Sequence, residues 1–139
     1  MDLDTALRLA RATNRSVLTT LRGNGLPQLS NVLHAVDDYG MIRISTTANR
    51  AKYTNLRRRP WAAVKVDGED FWSYAVVEGD VELSAVAADP GDEAADELVA
   101  LYRRLSGEHP DWEDYRRTMV VDQRVVVRVR PNRAYGLAR

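Results

Sequence analysis

The chain switches repeatedly between two hydrophobic periods, and the switches mark its elements. Near the start, Leu3, Ala6, Leu7 and Ala10 recur at helical spacing, which predicts one amphipathic helix over residues 4–13. Asp2 or Asp4 stands where a helix cap belongs. Residues 15–22 are rich in β-branched side chains and read as a strand. Gly23-Asn24-Gly25 then forms a tight turn, because each of these residues tolerates positive φ. A return strand is expected over residues 27–36. The turn Asp37-Asp38-Tyr39-Gly40 leads into a third strand at residues 41–45. A short helix follows and stops at Pro60, which lacks a donor and restricts its predecessor. Strands over residues 61–67 and 71–83 come next, separated by Gly68-Glu69-Asp70. Gly79-Asp80 marks a bend or bulge in the second of them.

Beyond residue 85 the period returns to helical. Asp89-Pro90 reads as a helix start. Leu98, Leu101, Tyr102 and Leu105 form its stripe, and Gly107 its stop. Asp111 caps a further helix whose apolar side is Tyr115, Met119 and Val120. A last strand spans residues 124–130, with a turn at Pro131-Asn132 and a closing segment at 133–137. About six strands joined mostly by short turns pair antiparallel, and a small sheet of that kind closes into a barrel to remove its edges. The expected fold is α+β: a six-stranded antiparallel barrel with flanking helices, one domain over residues 1–139.

Composition narrows the chemistry. Formal net charge is zero, so no global basic field points to nucleic acid. The run Arg57-Arg58-Arg59 is too short, and too free of interleaved aromatics, to reverse that. The chain has no cysteine and only His34 and His109. Disulfides, thiolate catalysis and Cys- or His-rich metal sites are therefore excluded. No apolar run approaches the roughly 20 residues that span a bilayer, and Met1 to Leu7 shows no signal-peptide pattern. A cytoplasmic protein without a membrane partner is expected.

Two stretches carry candidate chemistry. In the first, Ser45, Thr46 and Thr47 lead to Arg50 and Lys52 at the start of the short helix. Hydroxyls, free helix N–H groups and cations together make an anion site. Arg grips phosphate in a bidentate way and Lys adds a point charge. Lys52 and Lys65 are the only lysines; every other basic residue is arginine. The plain alternative is a solvated basic face. The second stretch is Gln28-Leu29-Ser30-Asn31-Val32, where uncharged polar residues sit on a strand otherwise fit for a core. Such groups are costly if buried unpaired, so the strand is either half exposed or lines a polar ligand.

These segments resemble a known family. The carriers are V-L-T-T-L-R-G-N-G-L-P-Q-L-S-N-V (residues 17–32), N-R-A-K-Y-T-N-L-R-R-R-P (49–60) and W-S-Y-A-V-V-E-G (72–79). L-Y-R-R-L-S-G-E-H-P-D-W-E-D-Y-R (101–116) and A-Y-G-L (134–137) complete the set. Together they resemble the FMN-binding split β-barrel superfamily that includes pyridoxamine 5′-phosphate oxidase, and most of all its actinobacterial branch using the deazaflavin coenzyme F420. The resemblance implies that Gln28, Leu29, Ser30, Asn31 and Val32 follow the ring and ribityl chain of the cofactor. It implies that Ser45 and Thr46 contact ribityl and phosphate oxygens, and that Arg50 and Lys52 grip the phosphate. Trp72 and Tyr74 match a pocket edge reached across a dimer interface, and Tyr135 an aromatic position from the second subunit. A homodimer with cofactor sites between subunits is the implied assembly.

The implied activity is hydride transfer from reduced F420 to an unsaturated small molecule, a reaction in which the cofactor supplies the chemistry. No acid/base pair is evident; His34 and Tyr74 are the candidate proton donors, and a lone strand histidine is more often structural. Two rivals stand beside this reading. One is an FMN enzyme of the pyridoxamine 5′-phosphate oxidase type, whose C-terminal Arg/His region residues 132–139 do not match. The other is a flavin or F420 carrier without turnover.

Overall fold

A computed structural model describes residues 1–138; Arg139, the last residue of the expected domain, lies outside them. The chain runs α1 (Leu3–Arg11), β1 (Arg15–Leu21), β2 (Pro27–Leu33), β3 (Ala35–Val36), β4 (Ile42–Thr47), α2 (Ala51–Arg58), β5 (Trp61–Asp67), β6 (Tyr74–Leu83), α3 (Glu93–Ser106), α4 (Trp112–Val121) and β7 (Arg124–Leu137). The strands form one antiparallel sheet in the order β2-β1-β5-β6-β7-β4-β3. Its two end strands, β2 and β3, are neighbours in the chain, with only His34 between them. The sheet is therefore curled into a half-barrel, and a backbone hinge joins its ends.

That hinge corrects the expected strand count from six to seven. The expected strand over residues 27–36 breaks at His34, whose N–H donates to Asn14 O at 2.9 Å rather than to a strand partner. The residues before it pair with β1 and those after it with β4. At the other end, the expected turn at Pro131-Asn132 is absent. β7 continues to Leu137, and its register against β6 shifts between Glu78 and Gly79. Glu78 faces Arg133 while Gly79 faces Pro131, so Asn132 is the extra residue of a bulge. Pro131 is tolerated because a bulge does not demand its missing N–H. Gly79 is required there: a Cβ would lie 2.1 Å from Arg130 O.

Smaller shifts have local causes. Asp2, not Asp4, caps α1 by accepting from Thr5 N. β6 begins at Tyr74 because Asp70 folds residues 71–73 into a turn, accepting from Trp72 N and Ser73 N, each at 2.8 Å. α3 starts after Asp92, whose carboxylate accepts from Ala88, Asp89 and Ala95 N–H groups.

Strand alternation sorts the side chains. Leu18, Ile42, Ile44, Val64, Val66, Val77, Val127 and Val129 fill the concave side. Ala6 and Ala10 of α1 and Leu56 of α2 pack against the same core. A second cluster on the opposite side of β7 joins Val126 to Ala94 and Leu98 of α3 and Met119 of α4. An ionic clamp adds to it. Arg43 and Arg128 stand directly opposite each other on β4 and β7, an arrangement that repels unless a carboxylate intervenes. Glu97 of α3 supplies it, accepting from Arg43 Nε at 2.9 Å and Arg128 Nε at 2.8 Å. No helix among the described residues is long and apolar enough to cross a membrane.

Candidate functional site

The site begins where β4 runs into α2. Along β4 the burial alternates, so Thr46 points inward, 3% exposed, while Ser45 and Thr47 share the outer face. The first N–H groups of α2 receive no side-chain cap, and Arg50 occupies the N-cap position. The other three helices each carry an aspartate there: Asp2, Asp92 and Asp111. A cation at the positive end of a helix opposes the dipole. Lys52 is the second residue of α2, and its pKa is lowered, first by burial and then by the charges of Arg50 and Arg124. Neither Arg50 nor Lys52 forms an ion pair among the described residues.

Arg124, the first residue of β7, completes this corner and was not visible as a site residue in the sequence. It lies opposite Thr47 in the β4–β7 register. Its Nη1 donates towards Ser45 Oγ at 3.4 Å. Among the described residues its Nε is buried without a hydrogen-bond partner, and the nearest carboxylate oxygen there, on Asp122, is 4.0 Å away. Free helix N–H groups, hydroxyls and three cations form a donor set suited to phosphate.

The polar strand β2 divides between two faces. Gln28, Ser30 and Val32 are half-buried and turn inward; Leu29, Asn31 and Leu33 are exposed. Val32 packs on the core. Gln28 Oε1 accepts from Asn55 Nδ2 at 2.9 Å, and the same amide donates to Thr20 Oγ1 at 3.1 Å. Arg58 in turn donates to Asn55 Oδ1 at 3.1 Å. Asn55, buried in the middle of α2, thus ties the helix that carries Lys52 to the strand that carries Gln28 and Ser30. Sequence reading passed over it because a lone asparagine among helix arginines looks solvated. Among the described residues β2 pairs only with β1, so its far edge leaves backbone groups without a strand partner there.

The remaining expected residues lie elsewhere. A rung of the sheet's outer face runs Asn31–Val17–Lys65–Val76–Tyr135. Four strand spacings separate Asn31 from Tyr135, about 19 Å measured along the curled sheet. Tyr74 lies in the next rung, opposite Asp67 and Leu137. Trp72 is 58% exposed and meets Phe71, 87% exposed, edge to face at 4.8 Å. Within one chain, then, Arg50, Lys52, Ser45, Gln28 and Ser30 form one group and Trp72, Tyr74 and Tyr135 another.

His34 is fully engaged. Its Nε2 donates to Ala10 O at 2.8 Å, which leaves Nδ1 to accept from Ser16 Oγ at 2.9 Å. Burial pushes its pKa down, against the pull of the Ala10 carbonyl. The ring braces the β2–β3 hinge against α1 and β1, with both nitrogens occupied.

Comparison with known proteins adds the family. The pyridoxamine 5′-phosphate oxidase model matches residues 3–138. The chain belongs to the pyridoxamine 5′-phosphate oxidase family. Among solved structures, a conserved hypothetical protein of Mycobacterium tuberculosis superposes with a TM-score of 0.73 at 25% identity, over 96% of this chain and 82% of that one. A protein described as an F420 reductase does so with a TM-score of 0.68 at 27% identity, over 92% and 94%. A heme-binding protein of Mycobacterium smegmatis shares the fold, with a TM-score of 0.68 at 20% identity, over 95% of this chain and 52% of that one. The flavin-binding fold of the pyridoxamine 5′-phosphate oxidase family thus spans residues 3–138.

Proposed function

We propose that this protein is an F420-dependent oxidoreductase that reduces an unsaturated small molecule. The observation that carries the proposal is the uncapped start of α2, with Arg50 and Lys52 unpaired beside it. The likeness to an F420 reductase over nearly all of both chains supports the choice of ring. Bound F420 would supply the hydride. The chain's own work is to bind and orient. Arg50 and Lys52 hold the phosphate, and the Asn55 bonds keep α2 and β2 at a fixed separation. The inward Ser30 and the outward Leu29 and Asn31 flank the unpaired edge of β2, along which the cofactor would lie. His34 has no free ring nitrogen to give a proton, which leaves Tyr74 as the candidate donor beside orientation and exclusion of water.

The two separated groups of expected residues support a homodimer. Trp72, Tyr74 and Tyr135 would meet a cofactor held at Lys52 from a second copy. The outer face that would meet that copy carries exposed Leu29 and Leu33 beside Val17 and Val76, a surface that gains by being covered.

FMN is the rival ligand, since the phosphate corner serves either ring. Against a pyridoxamine 5′-phosphate substrate stands β7, whose end is histidine-free and committed to pairing with β6. Stopped-flow mixing of the protein and reduced F420 with a panel of enones and quinones tests the activity. Loss of reduced-F420 absorbance on mixing is expected; tight binding with no oxidation by any acceptor would make the protein a carrier.

A further inference from the structure

We propose that Arg124 is a third phosphate-binding cation, supplied by β7, and that it presents the Ser45 hydroxyl to the same anion. The inference rests on the phosphate reading given above and adds a residue and a role to it. Three observations converge on Arg124. The β4–β7 register sets it opposite Thr47, one residue from the loop that opens α2. Its charge reaches Lys52, which lies on a different element. Its Nε is buried without a hydrogen-bond partner although its Nη1 is used.

An arginine placed only to hold strands together would spend its donors on carboxylates or carbonyls. Arg128, two rungs along the same strand, does that, bridging Glu97 and Glu82. Arg124 instead has Asp122 at the limit of ion-pair reach, 4.0 Å, and a second cation, Lys52, within reach of its charge. Its Nη1–H donates to Ser45 Oγ, so the hydroxyl proton is directed elsewhere and is free to donate to an anion. A guanidinium held against a hydroxyl whose proton is free makes a two-point donor set for one phosphate group.

The test compares wild type, Arg124→Gln and Arg124→Lys in titrations with F420, FMN, riboflavin and inorganic phosphate, with a thermal melt of each protein. Arg124→Gln is expected to bind F420 or FMN about tenfold more weakly or worse, to bind riboflavin as wild type does, and to melt at the wild-type temperature. Arg124→Lys should recover part of the loss. Unchanged affinity for the phosphate-bearing ligands would overturn the assignment, as would an equal loss for riboflavin. Should Arg124→Gln fail to fold, Arg124→Lys decides: weaker FMN or F420 binding with riboflavin kept supports the role, and no change overturns it. If wild type binds none of the ring ligands, the cofactor reading fails on its own. Protection by inorganic phosphate against heat then judges Arg124, lost in the glutamine variant if the inference holds and retained if it does not.

Discussion

Asn55 Nδ2 donates to Gln28 Oε1 across 2.9 Å, joining the middle of α2 to the edge strand β2. The amide is 5% exposed and also serves Thr20 and Arg58. Replacing it by leucine leaves three polar partners without their mate. Asn55→Leu is expected to lower stability by about 1–3 kcal/mol, read as a shift of the urea midpoint at constant slope.

Arg50 and Lys52 contrast with Asn55, because no ion pair among the described residues uses their charges. Arg50→Ala and Lys52→Ala should each weaken binding of a phosphate-bearing cofactor by about 1–3 kcal/mol. Their urea midpoints should stay at the wild-type value or rise slightly, since a repulsion is removed. Isothermal titration beside urea unfolding separates the two effects.

The same repulsion sets a pH dependence. Lys52 has a folded-state pKa below its ordinary 10.5, from burial first and from Arg50 and Arg124 next. The unfolded chain therefore holds this proton more tightly, and the residue's unfavourable contribution fades as pH rises through the folded pKa towards 10.5. A bound phosphate reverses the shift. Binding should take up protons and weaken as pH rises through the free-state pKa of Lys52. Calorimetry in buffers of different ionisation heat measures the uptake, and Lys52→Ala should abolish it.

Glu97 runs in the acid direction. Burial raises its pKa, but bonds from Arg128 and Arg43 more than offset this and the net shift is downward. Its stabilising contribution is complete above the unfolded value of 4.5 and is lost as pH falls through the lower folded pKa. Glu97→Gln should flatten the acid limb of stability against pH and cost about 1–3 kcal/mol at neutral pH, measured by denaturant titration across the acid range.

Val76 lies in the outer-face rung between Lys65 and Tyr135. Val76→Glu places a charge where the proposed partner copy packs, and sedimentation should show a monomer for the variant and a dimer for the wild type. A wild-type monomer would remove the two-subunit site.

Much of the fold was legible because strands and helices differ in period, and the turns carried Gly, Asn and Asp. The missed points depend on pairs distant in sequence. The break at His34 follows from ring bonds to Ala10 and Ser16, which no local pattern marks. The run through Pro131 follows from the bulge opposite Gly79. The corner of Arg50 and Lys52 was readable because hydroxyls, cations and a helix start are contiguous there. Arg124 was not, since 79 residues separate it from Ser45. The alternation along β4 was readable in principle: it sets Ser45 with Thr47 on one face and Thr46 on the other.

The most direct measurement is an equilibrium titration of wild type and Lys52→Ala with F420 and with FMN. The account predicts that wild type binds F420 more tightly than FMN, and that Lys52→Ala weakens both by about tenfold or more. Clearly tighter binding of FMN, or affinity for F420 that is the same in both proteins, would contradict it.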